Sequence, residues 1–228
     1  MTMPRLIRAI LLPAMLAAAP ASAGLFSKPA TSVAEIHDTA RPMSVAAPDD
    51  SMRAVAHYMD DKLTVFVGVR GFDFAGGADA ELLWSPASDA LAVTSNDAGG
   101  VGGDRFLATV LVRQSTRKWT RIDLTRRIAK LLPAPRGGCH AGPPDVAALG
   151  WTSGRRLIVT ATRGANRRCG ARKTFTAFVV DVPSGDILMA MDERTARRRY
   201  RHLLGKALTE RGWRPAGKAG ASVSAKAD

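Results

Sequence analysis

Only two cysteines and four histidines occur in this 228-residue chain, and aromatic residues make up 6% of it. The histidines, His37, His57, His140 and His202, include no pair at metal-ligand spacing, and the cysteines are too far apart for a zinc knuckle. Neither a Gly-x-Ser-x-Gly elbow nor a phosphate-binding Gly-Lys-Ser/Thr loop is present, so serine hydrolysis and nucleotide hydrolysis have no support. Past the N-terminus, no apolar run approaches the roughly 20 residues that a spanning helix needs. Together these gaps lead to the expectation of a protein without metal, cofactor or catalytic activity. The competing class is a periplasmic hydrolase whose site is assembled from scattered residues such as His57, Asp97 and Asp104.

What is present starts with an export signal. Arg5 and Arg8 precede a short apolar stretch over 9–19, and Ala21-Ser22-Ala23 has the small-x-small form that a signal peptidase cuts. Residues 1–23 are therefore expected to be removed, leaving a periplasmic or secreted chain with no transmembrane segment. In an oxidising compartment Cys139 and Cys169 are expected to form one disulfide. That bridge would close a loop of roughly 30 residues and contribute about 3 to 4 kcal/mol on the chain-entropy model.

Charge divides the chain. Between Gly24 and Arg105 there are 6 Lys and Arg against 12 Asp and Glu, whereas from Phe106 onward the counts are 25 and 8, within an overall net charge of +13. Two basic clusters stand out in the second half. One is Arg163, Arg167, Arg168, Arg172 and Lys173 around Cys169; the other is Arg194, Arg197, Arg198, Arg199 and Arg201. Such a half suits an anionic surface or an acidic envelope protein, including peripheral contact with a membrane. Nucleic acid is not expected, because no aromatic residues interleave the charges for base stacking.

Alternating apolar and polar residues predict strands over 53–58, 63–69, 81–84, 106–112, 119–124, 146–151, 156–161, 173–181 and 187–190. Residues 24–45 read as an extended lead-in, 46–191 as the β domain, and 213–228, rich in Ala, Gly, Ser and Lys, as a disordered tail. From Asp192 to Gly212, Ala196, Tyr200, Leu203, Leu204, Ala207 and Leu208 fall at helical spacing and predict one basic amphipathic helix. Gly99-Gly-Val-Gly-Gly-Asp104 fits a single calcium β-roll repeat, but without tandem copies it is expected to be a plain hairpin loop.

Two segments read alike: Trp84-Ser-Pro-Ala-Ser-Asp-Ala-Leu-Ala-Val-Thr-Ser and Trp151-Thr-Ser-Gly-Arg-Arg-Leu-Ile-Val-Thr-Ala. Pro48-Asp-Asp-Ser-Met-Arg-Ala-Val-Ala is a third unit without tryptophan. These units resemble blades of the TolB and WD40-like β-propellers, in which a strand ending in Trp-Ser-Pro meets a polar turn and a returning apolar strand. The resemblance implies a mainly β fold of propeller-like antiparallel hairpins, irregular or incomplete because the tryptophans lie farther apart than the roughly 40 to 50 residues of a blade. Folded and exported, the protein is expected to show no thiol reactive toward maleimide by mass spectrometry until it is reduced; free thiols at Cys139 and Cys169 would contradict the disulfide.

Overall fold

The computed structural model describes residues 24–34, 42–59, 62–76, 79–97, 105–115, 118–132, 144–152, 155–162 and 174–209. The described residues form thirteen strands, all paired antiparallel, in three sheets. The first sheet runs β2 (Met43–Ala46), β3 (Arg53–Met59), β4 (Lys62–Val67) and β5 (Arg70–Ala75) in chain order. The second runs β6 (Asp79–Trp84), β7 (Ala90–Asp97), β8 (Arg105–Ser115) and β9 (Lys118–Asp123), with β1 (Thr31–Ala34) added beside β6. In the third are β10 (Asp145–Thr152), β11 (Arg156–Thr162), β12 (Phe175–Asp181) and β13 (Asp186–Asp192). Each sheet thus contains a four-stranded meander, with β1 as a fifth strand in the second, and the three look-alike segments are the first hairpins of successive sheets.

Their turns repeat in detail. In the first, Ala47 N–H donates to the Met52 carbonyl and Asp50 N–H to Ala47; in the second, Ser85 N–H donates to Ala90 and Ser88 N–H to Ser85. Asp50 and Ser88 occupy the same place in these turns, and both are left-handed, with φ of 55° and 56°. That conformation is uncommon outside glycine and is kept here by the turn's own hydrogen bonds.

Tryptophan fastens each sheet to the one before it. Trp84, the last residue of β6, donates its indole N–H to the Val45 carbonyl of β2 at 3.1 Å, and Trp151 of β10 donates to the Leu83 carbonyl of β6 at 3.2 Å. Val45 and Leu83 are equivalent, each two residues before its turn. Ala46 stands where Trp84 stands in the next unit, and among the described residues no sheet precedes its own.

The second sheet is buried on both faces, so every residue of β7 from Ala90 to Asn96 is buried. One face packs Leu82, Trp84, Leu91 and Leu111 against Leu63, Val65 and Val67 of the first sheet. On the other, Leu83, Ala92 and Val110 meet Val146, Leu157, Val159 and Phe178 of the third, with Leu124 and Ile128 of α1 (Leu124–Ala129) filling the end. Polar bonds cross the same boundaries. Asp49 N–H donates to Ser88 Oγ, Arg155 pairs with Asp89 at 3.0 Å, and Ala148 N–H on the edge of β10 donates to Thr94 Oγ1.

The mainly β, antiparallel class and the C-terminal helix are as expected. Among the described residues the sheets form an open row and not a closed ring: the first packs on the second, the second on the third, and the outer face of the third is covered by the C-terminal segment. Within 24–45, read as an extended lead-in, the described residues include β1 and the start of β2. Residues 70–75, outside the strands expected from sequence, form β5. Phe72 is half-buried and Phe74 buried while Gly71 and Asp73 face outward, and the Phe66 ring lies over Gly71, its nearest carbon 3.0 Å from where a Cβ would sit. Trp84→Phe and Trp151→Phe should each lower the unfolding free energy in urea by about 1 to 2 kcal/mol, because each removes the indole bond between sheets and part of the packed ring. An unchanged midpoint for both would remove the tryptophan bond as a structural element.

Candidate functional site

The described part of the basic half ends in two short helices joined by a single 3-10 turn. α2 (Glu193–Tyr200) starts at Asp192, whose carboxylate accepts the Thr195 backbone N–H at 2.7 Å, and Glu193 places a negative charge in the first turn, as the helix dipole favours. Arg201–Leu203 forms the 3-10 turn, and α3 is Lys206–Thr209. The single helix expected over 192–212 is therefore interrupted after Tyr200. Leu204 is extended, with ψ of 123°, because it forms an antiparallel bridge with Ser27. Gly205 N–H donates to the Phe26 carbonyl and Ala207 N–H to Leu25. Backbone from the far end of the chain satisfies the donors that a continuous helix would have bonded internally. The apolar residues selected by helical spacing still share one side: Ala196, Leu203, Leu204 and Leu208 are buried against Leu149, Ile158, Phe175 and Val179 of the third sheet, with Tyr200 and Ala207 packed beside them.

The five arginines of this segment do not act alike. Arg197 is fixed, its Nε 2.6 Å from Glu193 Oε1 and its guanidinium 5.3 Å above the Phe175 ring. Arg194, Arg198, Arg199 and Arg201 are exposed, and among the described residues no carboxylate lies within ion-pair distance of them. Arg194 and Arg198, four residues apart, share one helix face. Asp192 beside them is held below the ordinary carboxylate range, first by the Thr195 backbone N–H, then by the Thr195 hydroxyl, with Arg194 and Arg198 adding attraction. Between residues 193 and 209 the sequence has six Lys and Arg against one Glu. Such a surface attracts anions.

Arg163, Arg167, Arg168, Arg172, Lys173, Cys139 and Cys169 lie outside the described residues, as do Asp104 and the glycine-rich loop. The expected disulfide and the first basic cluster therefore stand as read from sequence. His57 lies on β3 of the first sheet, whereas Asp97 ends β7 of the second and pairs with Arg105 at 2.6 Å. No hydrogen bond joins His57 to Asp97 among the described residues, and no group of three His, Cys, Asp or Glu there is placed to hold a metal ion.

One charged residue escaped the sequence reading. Glu81 is only 4% exposed, and its carboxylate accepts the backbone N–H groups of Phe26 at 2.8 Å and Ser27 at 3.2 Å. Its signal was a lone acid inside the apolar run Glu81-Leu-Leu-Trp84. No family model matches this chain, and no curated protein or solved structure is detectably similar to it.

Because the native Asp192 carboxyl is more acidic than in the unfolded chain, it stabilises the fold above the ordinary aspartate pKa of about 3.9, and that contribution is lost as the pH falls through and below this value. Asp192→Asn, which keeps a helix cap, should flatten the acid limb of the stability profile while changing the neutral-pH midpoint little. Asp192→Ala should lower the midpoint at neutral pH as well. Thermal melts between pH 3 and 7 decide this, and an acid limb unchanged in both variants would contradict the assignment.

Proposed function

We propose that the chain is an exported, non-catalytic binding or scaffold protein of the cell envelope, meeting an anionic surface or an acidic envelope protein through its basic C-terminal half. The observation that supports this reading is the division of labour on the C-terminal segment. Its apolar residues pack on the third sheet, so they are not offered to a bilayer, while Arg194, Arg198, Arg199 and Arg201 present their charges to solvent. The contact is accordingly electrostatic and peripheral, without insertion of an apolar helix face. Arg163, Arg167, Arg168, Arg172 and Lys173 extend the same charge along the sequence, and a Cys139–Cys169 disulfide would tether their loop.

In the same reading the stack is an arc of three propeller-like blades. Its support is the meander order of each sheet, the equivalent turns at 47–52 and 85–90, and the repeated tryptophan bond from one first strand to the previous one. An arc of this kind serves as a rigid mount that holds a basic patch at one end.

Co-sedimentation with vesicles tests the partner. The mature protein is expected to bind phosphatidylglycerol-containing vesicles, or an acidic envelope protein, at low ionic strength, to ignore phosphatidylcholine vesicles, and to release at about 1 M salt, where the Debye length falls to roughly 3 Å. Replacing Arg194, Arg198, Arg199 and Arg201 together by Ala should weaken binding about tenfold or more, since each cation near an anionic surface contributes on the order of 1 kcal/mol. Absence of binding to either probe at low salt, or binding indifferent to salt and to these substitutions, would overturn the proposal.

A further inference from the structure

The segment 24–28 is fixed more firmly than a chain end usually is. Lys28 N–H donates to Leu203, Gly205 N–H to Phe26, and Ala207 N–H to Leu25, all between 2.7 and 2.9 Å. Ser27 is fully buried, and its hydroxyl donates to the Leu149 carbonyl at 2.7 Å. Gly24 is also buried. A Cβ added there would lie 2.5 Å from the Ser27 carbonyl oxygen and 2.6 Å from Glu81 Oε1, and a Cβ on Gly205 would lie 2.7 Å from the Gly24 carbonyl oxygen. Residue 24 must therefore be glycine. In standard backbone geometry its nitrogen is about 2.5 Å from the Cβ position, which puts that nitrogen within about 5 Å of Glu81 Oε1. Opposite charges at that range strengthen one another, most of all when the carboxylate is out of water.

Gly24 is also the residue that follows Ala21-Ser22-Ala23. We infer that hydrolysis of the Ala23–Gly24 bond completes this site, making the new α-ammonium of Gly24 a counter-charge of the buried Glu81 carboxylate. In that step water, under a signal peptidase, adds its hydroxyl to the Ala23 carbonyl carbon as the C–N bond breaks. The Gly24 nitrogen takes the remaining hydrogen and a further proton from solvent. A neutral amide N–H becomes a cation at a position where the fold already presents an anion. Cutting precedes burial, because the folded chain leaves no space around Gly24 for a protease. Processing thus favours the folded state of the mature chain over that of the precursor. The inference rests on the export reading, and the experiment separates the two.

N-terminal sequencing of the exported protein comes first, with Gly24 expected as residue one; any other start overturns the inference together with the proposed cut. Given that start, urea unfolding compares the free-amine chain 24–228 with the same chain made by ligation as Nα-acetyl-Gly24, each with Glu81 and as Glu81→Gln. Acetylation should lower the folding equilibrium constant roughly tenfold, corresponding to one pKa unit, and should do so only when Glu81 is present. As a measurement independent of whether Glu81→Gln folds, the Gly24 amine of the native chain should react with acetic anhydride at least about tenfold more slowly than in urea, as a charge-paired, buried amine must. If acetylation leaves stability unchanged and the amine reacts as fast folded as unfolded, the pairing is overturned while the export reading stands.

Discussion

The architecture depends on one repeated bond, an indole N–H given by the last turn-side position of a sheet's first strand to a carbonyl in the first strand of the sheet before. Trp84 and Trp151 make it to Val45 and Leu83, carbonyls at equivalent places. A directional bond from a large ring to a fixed backbone carbonyl leaves little freedom in how one sheet lies on the next. The large ring adds apolar area at the same point, and for Trp84 an edge-to-face contact with Trp119 at 6.1 Å between centroids. Repetition of one local rule therefore generates a row of sheets. Ala46 fits that rule, since among the described residues the first sheet has no predecessor to receive a donor.

A row has two ends, and this one treats them differently. The outward face of the first sheet carries Arg53, Thr64 and Asp73, with a Thr64–Asp73 hydrogen bond of 2.9 Å, and tolerates water. The third sheet has apolar residues on both faces and would expose Leu149, Ile158 and Phe175. The first and the last of the described residues meet there. Residues 24–28 and 203–208 interlock over this face, and Glu81 of the second sheet holds the turn at Phe26 and Ser27. The cap costs the helix its continuity at Tyr200 and gives in return a covered face and a fixed mount for the arginines.

Much of this could be read from the amino acids. Period-two alternation located nine of the strands, and the tryptophan units added β7 and marked where new sheets begin. Helical spacing chose the right apolar side chains from Ala196 to Leu208 even though the helix breaks, since burial selects apolar residues whatever backbone carries them. The failures have a common cause in long-range pairing. Thr31–Ala34 has no pattern of its own and is a strand because β6 offers an edge, and Gly71 masked a strand that Phe66 protects from across the ladder. Leu204 leaves the helix for Ser27, 177 positions away in sequence. The role of Glu81 was invisible for the same reason: a carboxylate in an apolar strand announces a partner without naming it. The arginine cluster was plain from composition, but only the fold separates Arg197, tied to Glu193 and Phe175, from the four that face solvent.

Function in this account follows from mechanical order: tryptophans set the row, the clasp of residues 24–28 with 203–208 closes its end, and the basic patch stands on that closed end. The claim on which the rest stands is that the Trp84 and Trp151 indoles are bonded between sheets in the folded protein. Hydrogen exchange of the indole N–H groups, followed residue by residue by NMR in the native protein, tests it most directly. The account predicts that both protons exchange only through global opening, as slowly as the amides of β7 and orders of magnitude more slowly than in an unfolded peptide. Exchange of either indole at the unfolded-peptide rate, in a protein whose β7 amides remain protected, would contradict it.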